Sequence, residues 1–434
     1  MCYNQIVAAL WPPERMSVFM QQHEIWKIID ERQEDLIRFC QDIIRIPSEN
    51  PPGDVEDVTK FICDFLNTYH IPYEIVRPVP GCPNILATFG KKGGKRVVFN
   101  GHCDVVPAGD ESKWDFPPYS GEIKDGRILG RGTSDMKCGL ASSLFAIAML
   151  AQHNAELSGE ILYTIVPDEE TGGYHGTQWL FEHGYIKGDW GIVPEPTGFD
   201  NIEVGQKGNL GIHLTLTGRS AHGSLAPYVG QSAVEDMMEL CQALKELREI
   251  HGSYDGEIAQ VMEVSKQAIR DIQKVPGVEN CMDHVTVNFG VIQGGTKYNM
   301  VADSCQVDID CRVPIGVDGE QVQQKVAEII ERLGLADRCK VEYRGGRTGN
   351  YCSINDPIVL SARRCAKELM DIDLIAAYQW ASSDTRYFRE AGISTIQYGP
   401  SNAEGIHTYN ETVDVKDVIS ACKMYAGMIL DLIG

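Results

Sequence analysis

The 434-residue chain has no Cys-x-x-Cys pair, no long apolar run at its start, no internal repeat, no low-complexity tract and no excess of basic residues. Each absence removes a class of protein. Lys and Arg number 39 against 61 Asp and Glu, a formal net charge of -22. So acidic a chain disfavours nucleic acid and anionic membrane as partners, because both require basic groups against phosphate. The simplest use of the charge is solubility. The start, MCYNQIVAALWPPERM, lacks a basic n-region and holds only the short apolar run IVAAL, so neither a signal peptide nor a membrane span is expected. The 14 cysteines are scattered from Cys2 to Cys422, which argues against a disulfide framework and for a reducing cytoplasm.

What is present fits a soluble enzyme. Hydrophobic residues at 43% and charged residues at 23% are ordinary for a globular chain, and the length calls for two domains, one inserted in the other. Residues 1–20 read as an N-terminal extension, disordered or non-native, with Met16 or Met20 as an alternative start. From Glu24 to Ile46 apolar residues recur at helical spacing up to Pro47. A helix over VEDVTKFICDFLNTYHI and strands at EIVRP, NILATFG and KRVVFNGH follow. Helices over Lys137–Gln152 and Thr177–His183 then alternate with buried strands at Glu160–Val166 and Asp189–Val193. Such alternation predicts an α/β domain, a mostly parallel sheet flanked by helices, over 21–203 and 346–434. Between them, 204–345 changes grammar to strand, helix, strand, strand, helix, strand, the pattern of an inserted α+β split βαβ domain with an antiparallel sheet. Hinges are expected near Gly205–Gly211 and Gly345–Gly349. The segment 250–283 is longer than that simple unit requires, and WASSDTRYF borders the expected pocket.

Four short stretches set acids or imidazoles just past the carboxyl end of an expected strand, where open parallel sheets bind ligands. They are His102 and Asp104 in GHCDVVP, Glu169 and Glu170 in PDEETGG, Glu195 in VPEPTG, and His407 in GIHTYNE; Asp135 in GRGTSDMKCG precedes a helix. Taken singly, each has an ordinary explanation: a capping pair, a solvated acidic turn, a rigid Pro-Glu-Pro loop. Together, His102, His407, Asp135, Glu195 and one of the two glutamates make two imidazoles and three carboxylates, a donor set suited to a pair of zinc ions with one bridging carboxylate. Asp104, two residues after His102, is placed to accept that histidine's free ring N–H. Cys103 should point the other way and pack.

With GHCDVVP, GRGTSDMKCG, PDEETGG, PEPTG, GRSAHGS and GIHTYNE in this order, the chain from about Glu24 to Ile433 resembles the zinc-dependent aminoacylases, acetylornithine deacetylases, succinyl-diaminopimelate desuccinylases and glutamate carboxypeptidases. The resemblance implies two Zn2+, with Co2+ or Mn2+ as alternatives. His102, Asp135 and Glu195 would hold one, Glu170, Asp135 and His407 the other. Glu169 would be the general base and acid for a metal-bridging water attacking the scissile amide. Glu170 and Glu169 are expected to part because successive residues of an extended strand face opposite sides. Asp168 is left to support the turn.

The inserted domain is similar to the family's lid and dimerisation domain. That similarity implies His222 as oxyanion donor, in cis or across a homodimer, and Asn299, Arg312 and Arg347 as substrate-binding groups. For Arg312, an ion pair with Asp308 or Asp310 is the competing role. The implied activity is hydrolysis of an N-acyl amino acid or related small N-acyl amine. A di-zinc carboxypeptidase or dipeptidase acting on short peptides is the alternative, and a non-catalytic binding protein on the same fold a further one.

Overall fold

The structure, a computed structural model, describes residues 13–345, 348–402 and 405–434, with side chains from residue 18. The described residues form two compact units, one within 13–204, 352–376 and 383–434, the other within 205–351 and 377–382. In chain order the first begins with α1 (Pro13–Glu31), α2 (Gln33–Ile44), α3 (Glu56–Thr68), β1 (Tyr73–Val76), β2 (Asn84–Gly90) and β3 (Arg96–His102). It continues through β4 (Ile123–Lys124), β5 (Arg127–Leu129), α4 (Cys138–Gln152), β6 (Glu160–Val166), α5 (Thr177–Glu182), β7 (Trp190–Val193) and β8 (Asn201–Gln206). The second unit holds β9 (Gly208–Thr217), α6 (Ala233–Leu244), α7 (Gly256–Gln273), α8 (Asn280–Asp283), β10 (Thr286–Gly294), β11 (Ser304–Val313), α9 (Gly319–Arg332), β12 (Cys339–Gly345) and β13 (Asn350–Tyr351). The chain closes with α10 (Pro357–Met370), β14 (Ile375–Gln379), α11 (Thr385–Glu390), β15 (Ser394–Gln397), β16 (Thr412–Asp414) and α12 (Val415–Ile433).

Apolar runs explain the main sheet. Its order is β1-β2-β6-β3-β7-β15-β8, and the four strands β6, β3, β7 and β15 run parallel. Every residue of β6 is buried, as are the last six of β3, because helices cover both faces and leave no solvent side for polar alternation. Strands β1, β2 and β8 are antiparallel to their neighbours, so the sheet is mixed at its flanks. The 20-residue segment Thr133–Gln152 is apolar and long enough to cross a membrane by composition, but 89% of its most apolar window is buried in the protein; it packs against α12 as a core helix.

The second unit has an antiparallel sheet of order β10-β11-β9-β12. Leu210, Ile212, Leu214 and Leu216 of β9 point to one face and meet Met237 and Leu240 of α6 and Val326 and Ile329 of α9. Ser232 and Asp318 cap those helices by accepting from Glu235 N (3.3 Å) and Glu320 N (3.0 Å).

One detail differs from the sequence expectation and two lie beyond it. The helix expected over Glu24–Ile46 is two helices, interrupted at Arg32, and the first begins at Pro13, inside the segment read as an extension. The long segment 250–283 folds into α7 and α8, and Ser265 of α7 accepts from Tyr378 N at 2.7 Å, so 377–382 is bound into the second unit. A small sheet of order β16-β5-β4 has residues too few and too polar to announce strands. It nonetheless sets Thr412 opposite Leu129, and with it the segment after His407 beside the loop carrying Asp135.

Candidate metal centre

Parallel strands end together, and that brings the centre together. His102 closes β3 in register with Val166, the last residue of β6. Beyond Val166 the chain turns through Pro167 and Asp168 into a 3-10 turn, Glu169–Thr171. Glu195 lies two residues past β7. Asp135 sits between β5 and α4 in a loop whose Gly132 has φ +83; a Cβ there would stand 2.6 Å from Val105 Cγ1, so only glycine is accommodated. His407 takes a left-handed φ of +57 on the loop between β15 and β16.

Two clusters share one carboxylate. Asp135 Oδ1 is 3.0 Å from His102 Nε2, and Glu195 Oε1 is 3.6 Å from the same nitrogen. Asp135 Oδ2 is 3.3 Å from His407 Nε2, and Glu170 Oε2 is 3.1 Å from it. Asp135 thus presents one oxygen to each imidazole, and each imidazole has a second carboxylate of its own. Ligating atoms of His102, Glu169 and Glu195 lie within 4.8 Å of one another, as do those of His102, Asp135 and Glu170.

Each residue is held by others. His102 Nδ1 lies 2.9 Å from the Asp104 carbonyl and 3.3 Å from its carboxylate, leaving Nε2 for the centre. Asp104 is fully buried and also accepts from Glu169 N and Glu170 N (3.3 Å each) and Asn50 Nδ2 (2.9 Å). Asp168 supports the turn: its carbonyl accepts from Gly173 N (2.8 Å) and its carboxylate from His175 N (2.7 Å), and burial pushes it up to about 7. Cys103 is buried and points to the Val166 carbonyl.

The electrostatics expose an unbalanced site. Burial works against charge on His102, yet Asp104 and Asp135 raise its pKa well above the ordinary range. Hydrogen bonds donated to Asp135, then to Glu170, raise His407 to about 11. Burial alone would raise Asp135, but the two imidazoles lower it. Burial first, then the Asp135 charge, raises both Glu170 and Glu195. Glu169 is raised well above the usual range by burial and next by Asp384, against His102 and Arg386. Crowded buried carboxylates with little cationic compensation are the surroundings that divalent cations relieve. Glu170 Oε1 is buried with no hydrogen-bond partner, an acceptor left over for a metal. The donor set of two imidazoles and the carboxylates of Asp135, Glu170 and Glu195 fits a pair of such ions.

The structure therefore gathers His102, Asp104, Asp135, Glu169, Glu170, Glu195 and His407. The reason expected for the division between Glu169 and Glu170 is corrected: they lie on a tight 3-10 turn, not an extended strand, and the turn sends Glu170 toward His407 and Glu169 toward Glu195 and Arg386. His222, Asn299 and Arg312 belong to the second unit. His222 is exposed, its Nδ1 accepting from Ser224 N at 3.2 Å; the Asn299 carbonyl accepts from Gly223 N at 2.8 Å. Arg312 donates from Nε to Asp310 at 3.1 Å, the pairing weighed against a substrate role. Arg347 lies outside the described residues.

Four functional neighbours escaped the motif reading although they stand inside quoted stretches. Arg386 Nη1 is 3.9 Å from Glu169 Oε1, and Nη2 donates to the Gly172 carbonyl at 3.1 Å. Asp384, beside Arg386, accepts from Thr177 Oγ1 at 2.5 Å. Glu411 and Arg131 brace the Asp135 loop. Their only signal was charge within segments that the structure buries.

A sequence profile of peptidase family M20/M25/M40 matches residues 98–431. Over 410 residues the chain is 28% identical to a probable succinyl-diaminopimelate desuccinylase of Staphylococcus epidermidis, covering 91% of this chain and 96% of that protein. It is 26% identical over 429 residues to an N-formyl-4-amino-5-aminomethyl-2-methylpyrimidine deformylase of Halalkalibacterium halodurans, covering 92% and 95%. In fold it is similar to an M20 family metallo-carboxypeptidase from Sulfolobus solfataricus, with a TM-score of 0.78 at 19% identity over 91% of this chain and 98% of that one. The profile runs from β3 to α12 and takes in both clusters and the second unit: the chain belongs to peptidase family M20/M25/M40, a family of metal-dependent hydrolases.

Proposed function

We propose that the protein removes the acyl group from an N-acyl amino acid or related small N-acyl amine, with two zinc ions held by His102, Asp135 and Glu195 and by His407, Asp135 and Glu170. The observation that carries this is the Asp135 carboxylate, which turns one oxygen to each imidazole at 3.0 and 3.3 Å. Curated relatives named as a desuccinylase and a deformylase support deacylation over peptide cleavage. When bound, such ions supply Lewis acidity toward the amide carbonyl and make a water acidic enough to attack it at neutral pH.

The chain's own groups do the rest. Glu169, mostly buried, has a pKa raised by burial and by Asp384, which makes its carboxylate a better acceptor, able to take a proton and return it to the leaving amine. Arg386 limits that rise and, through the Gly172 carbonyl, holds the turn on which Glu169 sits. His222 is assigned to the developing oxyanion, and Asn299, Arg312 and Arg347 to the polar groups of the substrate. Arg312 can serve only by leaving or sharing Asp310. A homodimer through the second unit belongs to the same proposal: β10 is an edge strand whose Val291 and Ile292 are exposed, and Met238 of α6 is exposed also. Cytoplasmic residence is in keeping with cysteines that are all free among the described residues.

The test is a panel of N-acetyl, N-succinyl and N-formyl amino acids set against dipeptides and C-terminally extended peptides. Turnover should favour the N-acyl compounds and vanish on chelation. Glu169→Ala should lose about 10²- to 10⁴-fold in kcat with zinc content unchanged. Near-parental turnover in that variant would remove Glu169 from its role, and preference for the peptides would replace the deacylase with a peptidase.

A further inference from the structure

Two buried carboxylates brace the centre without lying in either cluster, and they hold different parts of it. Asp104 grips His102 and the turn bearing Glu169 and Glu170. Glu411, 1% exposed, grips the other side. Its Oε1 accepts from Ser134 N (2.9 Å) and Asp135 N (3.1 Å), and its Oε2 from Gly132 N (3.1 Å) and Arg131 Nη1 (2.6 Å).

Placement follows from the small sheet. Because Thr412 pairs with Leu129, Glu411 falls beside Gly130, whose N–H donates to the Glu411 carbonyl at 3.0 Å. The side chain then meets the row of N–H groups leading to Asp135. Arg131 completes the brace: its second fork arm, Nη2, donates to the Thr408 carbonyl at 2.9 Å, one residue from His407, and its guanidinium lies 5.1 Å from the Trp114 ring centroid. One ion pair thus ties the backbone on either side of the His407 half, at Asp135 N and at Thr408 O.

We propose that Glu411, acting with Arg131, is a positioning residue that sets the spacing of Asp135 and His407 and thereby the affinity of the metal held by His407, Glu170 and Asp135, while the metal at His102 and Glu195 depends on Asp104. This rests on the two-metal reading. Hydrogen bonds from backbone N–H groups to a buried carboxylate are charge-assisted and fix the loop that carries the ligand, and loss of such a supporting partner typically weakens metal binding about 10- to 100-fold.

Zinc titration of full-length protein against a chromophoric chelator tests it. In Glu411→Gln, which preserves shape and removes charge, one dissociation constant should rise about 10- to 100-fold and the other far less, even though the two clusters share Asp135. The visible spectrum after one equivalent of Co2+ should match the parent's. In a His407→Ala background the same change should leave the remaining zinc unaffected, whereas a purely structural defect would weaken it in both backgrounds. Arg131→Lys keeps a charge on Glu411 but loses the arm to Thr408; it should weaken the same site less, and it decides the matter alone if Glu411→Gln does not fold. Two constants that shift together, or neither shifting, in a parent that binds two zincs would overturn the proposal. A parent that binds a single zinc overturns the two-metal reading instead.

Discussion

The two halves of the centre use the same residue types in different settings. His102 ends a buried parallel strand, is 1% exposed at its side chain and has its ring fixed by Asp104. His407 stands on a loop with left-handed backbone, its side chain 51% exposed, and the loop is fixed at Thr408 by Arg131. Orientation in the first half comes from the sheet itself, and in the second from a side-chain brace. Rigid strand ends suit a tight site, whereas a half-exposed loop ligand suits one that exchanges its metal or opens to substrate.

Breaking the histidines one at a time tests this contrast most severely. His102→Ala leaves Asp104 and Glu195 without their imidazole in a sealed space, so zinc should be lost from both clusters and turnover should fall to background. His407→Ala opens a position that water can reach; it should retain one tight zinc per chain after dialysis and regain part of its turnover in excess zinc. Elemental analysis with assays across a zinc series decides, and equal losses in the two variants would erase the asymmetry.

The difference between the halves also explains what could be seen in the sequence. Apolar runs such as VVF and ILYTIV announce buried parallel strands, and acids or imidazoles just past them announce ligands, because a strand of that kind has one exit. His102, Glu170 and Glu195 are legible for this reason. Asp135 carries no such pattern, and His407, expected just past a strand end, instead follows a loop after β15 ends at Gln397; both stand out through their motifs. Glu411 and Arg131 were invisible as a brace because they act on backbone N–H and C=O groups brought together by β5 and β16, strands too short to show periodicity. Strand β8, NIEVGQ, is short as well: Ile202 and Val204 alternate with Asn201 and a half-buried Glu203, which accepts from Gln397 Nε2. The 3-10 turn at Glu169 has no apolar period to announce it; it begins after β6 has ended at Val166, and Gly172 and Gly173, both at positive φ, close it.

Asp104→Asn sharpens the comparison from the sheet side. The change keeps the backbone carbonyl that meets His102 Nδ1 but replaces the carboxylate that accepts from two backbone N–H groups and Asn50 by an amide. Affinity for the metal at His102 or kcat should fall about 10- to 100-fold, less than removing His102 itself. Zinc titration should show the loss at the constant that Glu411→Gln leaves alone. The same constant moving in both variants would mean that the two braces serve one cluster.

The smallest effect is a pH dependence of the metal-free protein. His407 is raised to about 11 by Asp135 and Glu170, above the roughly 6.5 of an unfolded histidine. A raised folded pKa gives stability that is fully present below the unfolded value and is lost as pH climbs through the folded one. Glu169, Glu170 and Glu195, all raised chiefly by burial, act with the same sign, since repulsion among them grows as they ionise. Asp135, lowered by the two imidazoles, opposes them only toward acid, where its stabilising charge is lost. Chelated protein should therefore melt at lower temperature near pH 9 than near pH 6. A divalent metal held there would displace the proton from His407 and offset the carboxylate charge, so added zinc should raise the melting temperature more at the alkaline end. Because His407 is half exposed, solvent screens its share, and His407→Ala should remove only a fraction of the slope. A variant with no slope at all would assign the whole effect to the exposed half, and an unchanged slope would assign it to the sealed one.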